Sequence, residues 1–112
     1  MGLDNFWKKN QGETANIEEA AGVCGGMFTD HGQTSFRGKL YADLVEQATG
    51  VSLYQEEIPS EVILKMADSL DAFDIREYDW EPGFDIDDKE FQSFKKMFRL
   101  HADAGHYLIG WW

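Results

Sequence analysis

The sequence predicts a single α+β domain over residues 1–112, with three helices packed on a short mixed or antiparallel sheet. Three observations lead to that class. The length suits one domain. A hydrophobic content of 43% with 14% aromatics is enough for a packed core. Three amphipathic stretches at helical spacing alternate with short apolar, β-forming segments, without the regular βαβ succession of a parallel sheet. The expected order is β-β-α-β-α-α-β.

Residues 2–8 read as a first short strand and residues 9–20 as a polar loop. Ala21 to Phe28 is apolar and glycine-containing, the pattern of a strand closely approached by another backbone. Asp30, His31 and Gly32 supply turn chemistry. A first helix is then expected, because Phe36, Leu40, Tyr41, Leu44, Val45 and Ala48 share one face. Thr34 or Ser35 is placed to cap its start and Gly50 to close its end. Val51 to Ile58 alternates in part and reads as a strand.

Pro59-Ser60 opens a second helix, whose buried stripe is Val62, Ile63, Met66, Ala67, Leu70 and Phe73. Residues 74–86 form an acidic, aromatic loop with a turn at Pro82-Gly83. Asp87, with Glu90 three residues on, starts the third helix in a spacing close to a capping box. Phe91, Phe94, Phe98 and His101 mark its inner face, and Gly105 stops it. His106 to Trp112 reads as a closing strand, with at least one of Trp111 and Trp112 expected to be buried.

Charge narrows the function classes. Acids number 21 against 10 Lys plus Arg, a formal net charge of −11. A field of that sign repels phosphate backbones and anionic lipid, so neither nucleic acid nor a membrane surface is the expected partner. A basic protein is. Cys24 is the only cysteine, which precludes an internal disulfide and fits a reducing cytoplasm. Met1 to Lys9 lacks the apolar run of a signal peptide, and Phe6 breaks the myristoylation pattern that Gly2 would open. No stretch has the length of a membrane span.

Two segments carry unusual local chemistry. In the first, a glycine-containing loop precedes the expected start of the first helix. Helix starts offer unpaired N–H groups and partial positive charge, so Thr34, Ser35, Arg37 and Lys39 are candidates for holding a phosphate or carboxylate group. The segment matches neither the phosphate-cradling loop of nucleotide hydrolases nor the dinucleotide fingerprint. Its plainer role is structural, with Ser35 as a cap and solvated cations beyond it.

The second segment runs from Asp68 to Glu90 and holds ten acids against Arg76 and Lys89, a net of −8. Tyr78, Asp79, Trp80, Glu81, Phe84, Asp85 and Asp87 interleave aromatics with acids, which suits a patch that docks on a basic partner. A third reading takes Asp79 as the first position of a degenerate EF-hand-like loop. Asp79, Glu81, Asp85, Asp87 and Glu90 then fall at divalent-metal ligand positions. Against it, Phe84 occupies the position that needs glycine for the sharp turn, and Pro82 and Gly83 replace the fourth and fifth positions.

No residue pattern marks a catalytic centre, and none calls for a cofactor. His101 and His106 stand five apart rather than the four that brings two imidazoles together on a zinc-binding helix. His101 lies on the apolar face and reads as a hydrogen-bonded core or boundary residue. Cys24 sits in an apolar run, where thiols are structural.

Met1-Gly2-Leu3-Asp4 followed by Phe6-Trp7, Gly25-Gly26-Met27-Phe28, Ser35 to Tyr41, and Leu108-Ile109-Gly110-Trp111-Trp112 together resemble small proteins of cyanophages and related bacteria, a group with no assigned activity. The resemblance covers about half of the chain and brings no catalytic residues with it. It implies an accessory protein acting in the host cytoplasm by binding a host protein.

Overall fold

The computed structural model describes residues 3–23, 31–77 and 88–112. It has the expected α+β class, with three helices against a five-stranded antiparallel sheet. The strands are β1 (Asp4–Lys9), β2 (Glu13–Thr14), β3 (Ser35–Phe36), β4 (Glu57–Ile58) and β5 (Tyr107–Trp111), and the helices are α1 (Ala42–Thr49), α2 (Ser60–Ala72) and α3 (Asp88–Asp103). Short 3₁₀ turns at Gly38–Leu40 and Ile75–Glu77 precede α1 and follow α2.

β1 organises the sheet. One edge pairs with β5 through five residues, and the other pairs with β2 at Lys8 and Lys9 and with β3 at Asn5 and Phe6. Asn5 and Trp7 point inward and are fully buried, while Asp4, Phe6 and Lys8 lie on the opposite, outer side. The loop read from residues 9–20 contains β2, reached by a tight hairpin turn in which Asn10 (φ 54°) and Gly12 (φ 94°) adopt left-handed conformations. β4 closes the far side of the sheet by pairing with Ile109 and Leu108.

The core is built largely from rings. Trp7 packs edge-on to Phe98 at 5.2 Å between centroids, and Phe94 lies edge-on to Phe36 at 5.5 Å and stacks on Tyr41 at 4.4 Å. The stripes expected on the second and third helices are the buried ones. Ile63, Met66, Ala67 and Leu70 are buried on α2, and Phe91, Phe94, Phe98 and His101 on α3. Gly50 (φ 77°) and Gly105 (φ 79°) take the left-handed conformations that end the first and third helices.

Neither terminal indole is buried, Trp111 being 65% and Trp112 50% exposed, so the expectation that one packs inside fails. Three further expectations change. The first helix begins at Ala42 rather than Phe36, because Ser35 and Phe36 pair with Asn5 and Phe6 as β3. The long-range pairing, together with burial of Phe36 against Trp7, outweighs the helical periodicity of positions 36–41. Val51 to Glu56 is irregular, and only Glu57–Ile58 is strand. There Ser52 accepts from the Tyr54 N–H at 3.0 Å, and Gln55 donates back to the Ser52 carbonyl at 2.9 Å, so local turn bonds replace a ladder. Ala21 to Val23 is not strand, and the remainder of that expected strand, with Cys24, lies outside the described residues.

Asn5 is the polar pin of the core. Its Nδ2 donates to the Leu53 and Ile109 carbonyls, both at 3.3 Å, tying the 51–56 segment to β5. Its Oδ1 rests against Gly38, where an added Cβ would overlap it and press on Leu3. Gly38→Ala is therefore expected to destabilise the fold by about 1–3 kcal/mol, the usual range for overpacking. A urea unfolding midpoint unchanged from wild type would show that Asn5 is not confined in this way.

Candidate functional site

The sequence marks Thr34, Ser35, Arg37 and Lys39 as candidate ligand residues. The structure separates them. Ser35 is buried within β3 and caps no helix. The residue before the 3₁₀ turn is Arg37 and the residue before α1 is Tyr41, and neither gives a side-chain cap. Thr34 and Ser35 line a depression of about 260 Å³ with Phe6, Trp7, Lys8 and Thr14. Arg37 and Lys39 are not among its lining residues. The cation at this depression is Lys8, on β1.

Of the acidic segment, residues 78–87 lie outside the described residues. They include Tyr78, Asp79, Trp80, Glu81, Phe84, Asp85 and Asp87, and so all but Glu90 of the EF-hand-like set. Glu90 is in the first turn of α3, where a carboxylate complements the helix dipole. Among the described residues, no three His, Cys, Asp or Glu side chains gather closely enough to hold a metal ion.

Near that segment, two arginines pair with acids among the described residues. Arg99, on the outer side of α3, bonds Asp71 at 2.7 Å and Asp68 at 2.8 Å on α2, and reaches Asp103 at 3.4 Å on its own helix. These carboxylates, Asp68 first, raise the guanidinium pKa further above its ordinary value. The cluster clamps α2 to α3 with a strength of about 1 kcal/mol, as expected for a partly exposed network. It keeps a surplus of negative charge, three carboxylates on one guanidinium. At the end of α2, Arg76 bonds Asp74 at 2.8 Å and holds its pKa below the ordinary carboxylate value, chiefly through the side-chain hydrogen bond.

The core also holds a polar pair that sequence spacing undervalued. His101 is fully buried, as its place on the apolar face implied. Its Nε2 lies 3.0 Å from the Gly32 carbonyl and its Nδ1 lies 2.8 Å from Nδ1 of His106. A carbonyl only accepts, so Nε2 of His101 carries the proton and donates. In a neutral ring Nδ1 is then the acceptor, and His106 donates from its own Nδ1, leaving the His106 lone pair on Nε2. The left-handed turn at Gly105 brings His106 back over the helix end, where its N–H donates to the His101 carbonyl at 3.1 Å.

A face of the His101 ring stacks on Trp7 at 4.3 Å, with only 4° between the planes. The five-residue spacing excludes a shared helical face, yet a helix followed by a tight reversal joins the two rings. The detectable signal was Gly105 between them.

No known family model matches the chain, and no curated protein or solved structure is significantly similar to it. Its chemistry is therefore read from its own residues. The histidine pair shares one proton between two facing nitrogens, and protonating both would force N–H against N–H. Burial, and secondarily the charge of Lys9, lower the His106 pKa.

A histidine whose folded-state pKa is depressed binds fewer protons in the native than in the unfolded state below about pH 6.5. Its contribution is complete above that pH and is lost as pH falls toward the folded-state value. The unfolding free energy measured in urea is expected to fall between pH 7.5 and 5.5, by at most about 1.4 kcal/mol per pH unit for this proton. His106→Gln should flatten the change, and an equal fall in that variant would place its origin elsewhere.

Proposed function

We propose that this chain is a non-enzymatic accessory protein, of phage type, that binds a basic protein of its host through the acidic, aromatic stretch from Tyr78 to Asp88. The observation that carries the reading is the charge excess between Asp68 and Glu90, which supplies −8 of the net −11. The cluster beside it keeps the same sign, because Arg99 balances only part of Asp68, Asp71 and Asp103. Tyr78, Trp80 and Phe84 within the stretch would bury apolar area against the partner, while the acids steer and align it. Lysine and arginine side chains suit both, as ion-pair partners of the carboxylates and as cations over the rings.

The alternative is a small-ligand module, or an enzyme, that holds a phosphate or carboxylate group with Thr34, Ser35, Arg37 and Lys39. It has less support, since Ser35 is buried in a strand and the two cations do not line the depression beside it. Divalent-metal binding rests on the sequence pattern of residues 79–90 alone.

The test is calorimetric titration with a lysine- and arginine-rich peptide at about 0.15 M salt, where surface charges are screened beyond roughly 8 Å. Reversal of Glu81, Asp85 and Asp87 to lysine is expected to weaken binding at least tenfold. Reversal of Glu13, Glu18 and Glu19, equal in charge but remote in sequence, should have a much smaller effect. Equal losses in the two triple variants would reduce the interaction to net charge and remove the proposed docking site.

A further inference from the structure

The two histidines of the core give a proton an entrance on one ring and a resting place on the other. His101 is fully buried, and His106 is 8% exposed. In the neutral pair Nδ1 of His101 accepts from Nδ1 of His106, and Nε2 of His101 donates to the Gly32 carbonyl. The basic nitrogen left is Nε2 of His106, so a proton from solvent is taken there. His106 is then an imidazolium whose Nδ1–H still points at His101. The contact between the two Nδ1 atoms, 2.8 Å long, gives this charged pair a second form. The bridging proton crosses to His101 and the hydrogen bond reverses, with His101 as donor and His106 as acceptor. No ring turns and no hydrogen bond is lost. The step balances: an N–H bond forms at Nε2 of His106, its Nδ1–H bond breaks, and an N–H bond forms at Nδ1 of His101. One proton and one positive charge have entered, and His106 ends neutral.

Burial opposes charge on both rings, so their contacts decide which one holds it. Three of them favour His101. The Trp7 indole lies flat on its ring, 4.3 Å away with 4° between the planes, and indole is the best aromatic partner for a cation. The Gly32 carbonyl accepts from its Nε2 at 3.0 Å, a bond that strengthens when the donor is ionised. Lys9 disfavours a cation on His106. Among the described residues, the titratable groups next to the pair along the elements that meet it are Lys9 on β1, His31 beside Gly32, Asp103 on α3 and Tyr107 on β5. Asp103 is bonded to Arg99, and of these groups Lys9 is the one whose charge acts on His106. A second proton finds no such accommodation, because it sets N–H against N–H and breaks the bridge.

We propose that His106, His101 and Trp7 form a pH-sensitive proton relay, in which one proton taken up at Nε2 of His106 displaces the bridging proton to His101 and leaves the charge on the ring stacked against Trp7. The core thereby has a charged but still hydrogen-bonded state between the neutral junction and its rupture in acid. The relay is independent of the acidic stretch and of what that stretch binds.

Long-range nitrogen–proton correlation spectra of the imidazoles, recorded from about pH 7.5 downward while the chain stays folded, test it. The expected change is that the His106 proton moves from Nδ1 to Nε2 while His101 becomes protonated on both nitrogens in the same step. Trp7→Phe should lower the midpoint of that step by about half a pH unit, since phenylalanine holds a cation less well than tryptophan. Near-UV circular dichroism checks that the variant is folded, and the wild-type spectra decide alone if it is not. Four results would overturn the relay. They are a His106 protonated on both nitrogens beside a His101 that keeps a bare Nδ1, a pair that stays neutral down to the pH of unfolding, uptake of two protons in one step, and a folded Trp7→Phe variant with an unchanged midpoint.

Discussion

The stack of the Trp7 indole on the His101 imidazole joins the parts of this molecule that are far apart in sequence. Trp7 is the inward residue at the centre of β1, the strand that pairs with three others. His101 is in the last turn of α3, and its two nitrogens reach Gly32 on one side and His106 on the other. One ring therefore fixes the sheet to a helix, the helix to the strand that follows it, and both to the segment leading into β3. Replacing His101 by an apolar residue would keep the packing but remove the bond to the Gly32 carbonyl and the acceptor of the His106 Nδ1 donor, and a buried donor left unpaired is costly.

This junction also explains why the first helix starts late. Trp7 donates its backbone N–H to Thr34 at 2.7 Å, Phe36 packs on the indole, and Lys39 donates to the Leu3 carbonyl at 3.1 Å. Residues 34–39 are held along β1 by these bonds before the chain is free to coil. The glycine at position 38 is the consequence of bringing two backbones together over a buried asparagine. A cluster of hydroxyls and cations that looks like an anion-binding helix start is here a strand and a crossing. Its side chains are divided between core and solvent.

The legible parts of the sequence were those where one physical signal acted alone. The stripes of α2 and α3 follow the 3.6-residue period without competition, and the glycines that end α1 and α3 do what their missing side chain permits. Where a local signal met a long-range one, the long-range one prevailed: Phe36 has helical spacing but strand pairing, and Val51 and Leu53 alternate within a segment closed by its own turns. The contact between His101 and His106 depends on a reversal that no fixed spacing encodes, although the buried character of His101 was evident from its neighbours. Charge was legible as a total and as a density along the chain. Its arrangement in space was not, and Arg99 shows why: a residue on α3 gathers acids 28 and 31 positions earlier on α2.

The molecule thus closes an aromatic and histidine core against one side of its sheet, while Trp111 and Trp112 at the end of the last strand stay exposed. The histidine junction of the core depends on proton positions, and these are directly observable. A long-range nitrogen–proton correlation spectrum of the two imidazoles at neutral pH is predicted to show His101 protonated on Nε2 and His106 protonated on Nδ1, the less common tautomer in water. Finding His106 protonated on Nε2, or both rings exchanging between tautomers as in free histidine, would contradict the hydrogen-bonded junction on which this description rests.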